Sequence, residues 1–272
     1  MPLTAIQRSV IKVLKLHRSE HTFVAGGAAL NREWPRLSDD MDIFHDIRDR
    51  LPRFVEPELE ALRQAGFSVE VTVETDMTVE AILRKYGEET MVQWMDDIET
   101  CRRFFPAMDD PDFGFRLHDA DNAVNKVLCA SRRHSAPRDA VDLVTISERY
   151  APLGPLVWAV TGKTADLTPP VVLRGMRANA FGYSQKEIET VRMEDGSKPE
   201  WGRVRDILNV ALDAAADYCE NGAPIAYAGC LFVDENEVPV EVDENAIANG
   251  QATPMIIRDF SGIPVVHTQE GS

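Results

Sequence analysis

Residues 23–44 read FVAGGAALNREWPRLSDDMDIF, and the reading of this stretch decides the fold. An apolar run ends in Gly26-Gly27, a helical segment follows, and Ser38, Asp40 and Asp42 lead into Ile43-Phe44. Side chains alternate along a strand, so Asp40 and Asp42 point to one face while Met41 and Ile43 point to the other, into a core. Two carboxylates on one face repel unless a cation lies between them. Magnesium suits that position, because it takes hard oxygen ligands and shares them with substrate phosphates. Glycines at 26 and 27 let the backbone turn tightly and approach a ligand. A helix opening at Ala28 would offer unpaired N–H groups to an anion. A glycine pair or an Asp-x-Asp alone marks a solvated turn more often than a site. Their order and separation here imply a phosphate-approaching turn set against a carboxylate pair, able to hold Mg2+ or Mn2+ against a nucleoside triphosphate.

Two later stretches extend the pattern. In Asp121-Asn122-Ala123-Val124-Asn125-Lys126-Val127-Leu128, the residues Val124, Val127 and Leu128 mark a buried side, and Asn122 and Lys126 share another face at i, i+4 spacing. A lysine there reaches triphosphate oxygens as a point charge, or is an ordinary surface lysine. In Arg138-Asp139-Ala140-Val141-Asp142-Leu143 the two aspartates share a helix face one turn apart. Asp139, in the first turn after Pro137, equally suits a carboxylate placed at the positive end of a helix dipole.

Gly26-Gly27, then Arg36-Leu37-Ser38-Asp39-Asp40-Met41-Asp42-Ile43-Phe44, then these two stretches occur in one order. Together they resemble the signature of the nucleotidyltransferase-like AbiEii/AbiGii proteins, which include toxins of bacterial abortive-infection and toxin–antitoxin systems. Those proteins belong to the polymerase-beta-like nucleotidyltransferase superfamily. The resemblance spans roughly residues 20–150, about half the chain. It implies transfer of a nucleotide from a nucleoside triphosphate to an acceptor, with tRNA or other RNA among the acceptors and an antitoxin protein as a partner. Asp40 and Asp42 would be catalytic metal ligands, joined by a third carboxylate from Asp96, Asp97 or Glu99, of which Asp97 fits best. Lys126 and Asp139 would complete the catalytic set, with Arg138 as the partner of Asp139. Gly26, Gly27, Ser38 and Lys126 would bind the nucleotide, and Arg36 would buttress the carboxylates. Gly26-Gly27 stands where much of the superfamily has Gly-Ser, which leaves phosphate binding to the backbone.

The bulk properties set bounds around this reading. The chain has 272 residues with a net charge of −16, 44% hydrophobic and 27% charged residues, the balance of a soluble globular protein. The charge argues against a general nucleic-acid binder, but it is unevenly spread. Residues 51–100 carry 4 basic and 12 acidic residues and residues 201–250 carry 2 and 10, whereas residues 1–50 carry 8 and 7 and residues 101–150 carry 8 and 8. The acid thus lies mostly outside the motifs, and Arg102-Arg103, Arg132-Arg133-His134 and Arg138 leave room for a local phosphate-binding rim. No apolar run approaches a membrane span, and the N-terminus lacks the apolar block of a signal peptide, so the expected location is cytoplasmic, with no membrane partner. Cys101, Cys129, Cys219 and Cys230 are scattered, without a CxxC, and suit free or buried thiols.

The pattern along the chain predicts an α/β (α+β) architecture: a small mixed sheet flanked by helices, then a mostly helical region with a short β-hairpin. Helices are expected over 4–19, 47–65, Asp119–Arg133, Pro137–Tyr150 and 200–220. Strands are expected at Thr22–Ala25, Met41–His45 and Phe67–Val73. Val79–Tyr86 and Thr90–Met95 form a hairpin around Gly87-Glu88-Glu89, and Leu231–Val233 and Val238–Val242 form another. Pro152, Gly154 and Pro155 suggest a boundary between a nucleotidyltransferase-like catalytic domain over 1–150 and a region over 151–272 that selects the acceptor. Trp34 and Trp94 are candidates to stack a base, though single aromatics usually serve packing. Besides RNA, a cationic small molecule such as an aminoglycoside is a candidate acceptor for so acidic a protein. A non-catalytic scaffold that binds a nucleotide or a protein is the third reading.

Overall fold

The computed structural model describes residues 3–46, 50–96, 102–134, 136–164 and 166–260. Helix α1 (Ala5–Leu14) opens on a reciprocal cap: Thr4 Oγ1 accepts from the Gln7 N–H and Gln7 Oε1 accepts from the Thr4 N–H. Its Ile6, Val10, Ile11 and Leu14 are buried at helical spacing, each contributing about 1.5–3 kcal/mol of apolar burial. Strand β1 (Thr22–Ala25) is buried throughout. Helix α2 (Gly26–Leu30) begins at the next residue, and β2 (Asp40–His45) returns antiparallel to β1, with Ala25 opposite Asp42.

Helix α3 (Pro52–Gln64) starts on a proline, where a missing N–H and a fixed φ do no harm; residues 47–49 of the expected helix lie outside the described residues. Strands β3 (Ser68–Glu74), β4 (Thr78–Lys85) and β5 (Glu88–Asp96) form an antiparallel meander. The turn between β4 and β5 corrects the expected one. Lys85 pairs with Glu88, so the loop is Tyr86-Gly87 alone, with φ of 54° and 81°. Two positive φ values give the mirror-image turn whose twist matches the strands. Glu88 and Glu89 therefore belong to β5.

Strands β6 (Arg102–Arg103), β7 (Met108–Asp110) and β8 (Gly114–Arg116) follow. The main sheet has seven strands in the order β3-β4-β5-β2-β1-β8-β7, with β2 parallel to β5 and β1 parallel to β8. Then come α4 (Asp119–Arg132), α5 (Pro137–Arg149), α6 (Leu153–Lys163), α7 (Pro169–Ala180), α8 (Gln185–Ile188) and α9 (Trp201–Asp217). The chain continues through β9 (Leu231–Val233), α10 (Glu244–Ala248), β10 (Thr253–Met255) and β11 (Arg258–Asp259). The second expected hairpin is also corrected. Strand β9 pairs with β10, and the 238–242 segment meets it through one bridge, Pro239 opposite Val233, closed by the Val240 N–H on the Phe232 carbonyl and the Asp234 N–H on the Val238 carbonyl, each at 3.0 Å.

Two hydrophobic clusters dominate. One lies under the sheet, where Met41, Ile43, Val92 and Trp94 meet Val10 and Leu14 of α1 and Leu59 and Leu62 of α3. The other joins Val124, Val127, Leu143, Leu156, Met176, Leu208 and Leu212, so that α4, α5, α6, α7 and α9 share one interior. No helix among the described residues is long and apolar enough to cross a membrane. The whole is a mixed α/β fold with helices against the sheet.

Candidate active site

The β1–α2 junction builds the floor of a pocket. Gly26 has φ of 63°, and a Cβ there would overlap the Asp42 carboxylate; at Gly27 it would overlap the Arg36 guanidinium and Ser38 Oγ. Both glycines thus let the backbone lie against side chains arriving from the loop before β2 and from β2 itself. Asp40 and Asp42 share one face of β2, as alternation requires, and Met41 and Ile43 are fully buried on the other. Ser38 Oγ donates to Asp40 Oδ1 at 3.3 Å. Burial, together with the charge of Asp40, pushes the Asp42 carboxyl up to about 6, against the opposing pull of Lys126, Arg138 and Arg133.

Helix α4 supplies the facing wall. Asn122 Nδ2 donates to the Gly26 carbonyl at 3.2 Å and fixes the glycine turn to the helix. Lys126 Nζ lies 2.8 Å from Asp139 Oδ1 and 2.9 Å from Asp142 Oδ2. Burial works against its charge, but Asp142 and Asp139 more than offset this and raise its pKa. Asp142 is fully buried. It accepts from Arg36 Nε at 2.5 Å and Nη2 at 3.1 Å, and from Asn31 Nδ2 at 3.0 Å. Burial alone would raise its carboxyl; Arg36 and Lys126 outweigh that and hold it at about 2. Arg36 is thus tied to Asp142, and the expectation that it buttresses Asp40 and Asp42 is corrected to that extent. The loop carrying Arg36 is itself held from afar. Arg36 bridges Met193, the Leu37 N–H donates to the Arg192 carbonyl at 2.9 Å, and the Glu194 N–H donates to the Pro35 carbonyl at 2.8 Å. Arg192 also reaches Asp39 at 2.8 Å.

Gly26, Gly27, Ser38, Asp40, Asp42 and Lys126 line one pocket of about 170 Å³. Asp139 sits behind Lys126, not on the lining, with Oδ2 buried and without a hydrogen bond. Asp97 and Glu99 lie outside the described residues, and Asp96 ends β5 opposite His45. Among the described residues no cluster of three or more His, Cys, Asp or Glu could hold a metal ion. Trp94 is fully buried and donates to Glu58 at 2.8 Å, while Trp34 packs on Tyr150; both serve packing and neither lines the pocket. His45 is buried, with Nε2 3.4 Å from Thr22 Oγ1, and burial aided by Arg18 drives its pKa down to about 3. Cys129, Cys219 and Cys230 are free thiols, and Cys101 lies outside the described residues.

The pocket also contains residues to which the motifs gave no part in a site: Phe44, Gln93, Met95, Asn125, Leu128 and Cys129. Asn125 and Cys129 are flagged only by their spacing from Lys126 on α4. Gln93 becomes visible only once β5 is known to pair with β2, which sets Gln93 opposite Asp42. Arg133 and Arg138 close the rim.

No protein-family profile and no curated protein sequence matches the chain. Among solved structures, it superposes on a candidate nucleotidyltransferase from H. pylori with a TM-score of 0.52 at 13% identity, over 79% of this chain and 96% of that one. A looser superposition, TM-score 0.43 at 17% identity, relates 79% of the chain to 85% of MenT4, a nucleotidyltransferase toxin from Mycobacterium tuberculosis H37Rv. The first of these likenesses shows that the chain has the nucleotidyltransferase fold.

Proposed function

We propose that the protein is a nucleotidyltransferase that moves a nucleoside monophosphate from a nucleoside triphosphate to an acceptor. The observation that carries this reading is the packing of the Gly26-Gly27 turn against Asp42 and Ser38 in a pocket closed by Lys126 and two arginines. The carboxylate pair also fits a divalent ion. Asp42 resists ionisation beside Asp40, and Mg2+ is usually held by one or two carboxylates with the substrate's phosphates completing its shell. Asp40 and Asp42 would hold Mg2+ or Mn2+, with Asp97 the candidate third ligand. Such an ion, when bound, offsets charge on the transferring phosphoryl group and acidifies the acceptor.

The chain's own residues do the rest. The glycines at 26 and 27 let Asp42, Arg36 and Ser38 crowd onto the turn, and Asn122 keeps that turn on α4. Lys126 spends two of its N–H groups on Asp139 and Asp142 and leaves one for the pocket. An acceptor oxygen or nitrogen bonds to the α-phosphorus, the bond from that phosphorus to the bridging oxygen breaks, and pyrophosphate leaves with the electron pair. The acceptor's proton passes to the Asp40/Asp42 pair. RNA is the proposed acceptor, because Arg133, Arg138 and Arg192 gather at this side of an otherwise acidic protein. A cationic small molecule is the second reading, favoured by the net charge of −16. Action in the cytoplasm and restraint by an antitoxin protein belong to the same proposal.

The test incubates the protein with Mg2+, each labelled nucleoside triphosphate and a cell extract, beside a D40N/D42N variant of unchanged melting temperature. Label transferred by the wild type and lost in the variant supports the reading, and the labelled species names the acceptor. Absence of transfer, together with absence of nucleotide binding by calorimetry, overturns it in favour of a scaffold.

A further inference from the structure

Four basic side chains line the pocket: Arg36, Lys126, Arg133 and Arg138. Three of them face carboxylates. Arg36 is bidentate on Asp142, Lys126 is held by Asp139 and Asp142, and Arg138 stands 3.6 Å from Asp40 and 3.9 Å from Asp39. Arg133 differs. Its guanidinium makes no hydrogen bond or ion pair among the described residues. It is not isolated either, because its charge acts on Asp40, Asp42, Asp139 and Cys129. It is the residue that caps the C-terminus of α4, seven positions after Lys126, and it lines the same pocket.

The charge balance gives this position a purpose. Asp142 and Asp139 neutralise Arg36 and Lys126 internally, and Arg138 faces Asp40. A triphosphate entering the pocket therefore meets, beside the one N–H that Lys126 keeps for it, a guanidinium whose donors are uncommitted among the described residues. A guanidinium presents a planar fork that matches phosphate oxygens two at a time.

We infer that Arg133 is the side chain that grips the β- and γ-phosphates of the nucleoside triphosphate, and that Lys126 is a positioning residue, holding Asp139 and Asp142 in place. The inference rests on the nucleotidyl-transfer reading and gives its substrate-binding cation a different position from the lysine that the motifs single out.

The test is calorimetric binding of each nucleoside triphosphate and each monophosphate, with Mg2+, to the full chain as wild type, R133M, R133K and D40N/D42N, with melting curves confirming that each variant is folded. In R133M, triphosphate affinity should fall about ten- to a hundredfold, the worth of a charge-assisted hydrogen bond or two. Monophosphate affinity should stay within about twofold. R133K, which keeps charge without the fork, should fall in between. Equal loss for mono- and triphosphate overturns the assignment. So does unchanged triphosphate binding, including the case where transfer to the acceptor is lost, which would place Arg133 on the acceptor instead. Wild-type protein that binds no nucleotide, or binding indifferent to D40N/D42N, defeats the transfer reading itself and is distinguished by those two controls.

Discussion

Replacing Asp142 by asparagine should unfold the protein far more readily than a change of two atoms suggests. The folded carboxyl titrates at about 2 against 3.8 when unfolded, and that gap is worth on the order of 2.5 kcal/mol at neutral pH. The sign is fixed by the direction of the shift. A depressed carboxylate contributes fully above its unfolded value, and the contribution is lost as pH falls from about 4 through about 2. Asparagine removes this term at every pH and leaves Arg36, buried and bidentate on Asp142, without its counter-charge. Breaking a buried pair on one side costs about 3–5 kcal/mol. Denaturant unfolding at pH 7 of wild type, D142N, R36M and R36M/D142N measures the effect. D142N alone should lose about that amount. The double variant, which removes both charges and leaves Lys126 with Asp139, should recover a substantial part of it. A D142N variant within about 1 kcal/mol of wild type, or a double variant as unstable as the sum of the single ones, would refute the idea of a coupled buried network.

Two further outcomes are expected. G26A places a Cβ on the Asp42 carboxylate at a φ of 63°; the backbone penalty is about 1–2 kcal/mol, while displacement of Asp42 should lower transfer by about a hundredfold, read as initial rate beside a melting curve. Because His45 titrates near 3 when folded and at 6.5 when unfolded, stability is fully present above 6.5 and declines by about 1.4 kcal/mol per pH unit below it. Urea midpoints at pH 7, 6 and 5 should show that slope, and H45Q should flatten it; an equally steep H45Q curve would remove His45 from the explanation.

Much of this was legible in the sequence because it is local. Alternation along 40–45 fixes which side chains face the pocket, and the glycine pair fixes where the chain turns. Thr4 and Gln7 announce the start of the first helix. What escaped is relational. Asp142 and Asp139 look interchangeable at helical spacing, but only Asp142 meets Arg36 and Asn31, more than a hundred residues earlier. Gln93 entered the site through a strand order that no periodicity reveals. The tight turn at Tyr86-Gly87 hid because tyrosine rarely accepts positive φ, and the partner of β9 hid because β10 lies about twenty residues further on, past the adjacent segment that alternation offers.

The strand-like clasp between residues 35–37 and 192–194 has a wider meaning. Arg36 and Ser38 hang on a loop whose backbone is held by the Gln7 side chain, which donates to the Ser38 carbonyl at 3.0 Å, and by a clasp to residues roughly a hundred and fifty positions later; Asp40 opens β2 directly after it. The loop carrying Arg36 therefore lacks this clasp until the 190s emerge from the ribosome, whereas Asp40 and Asp42 are already held in β2 between β1 and β5. The later half is therefore not an exchangeable cartridge: any substitute for it would have to bring its own clasp for the loop that carries Arg36.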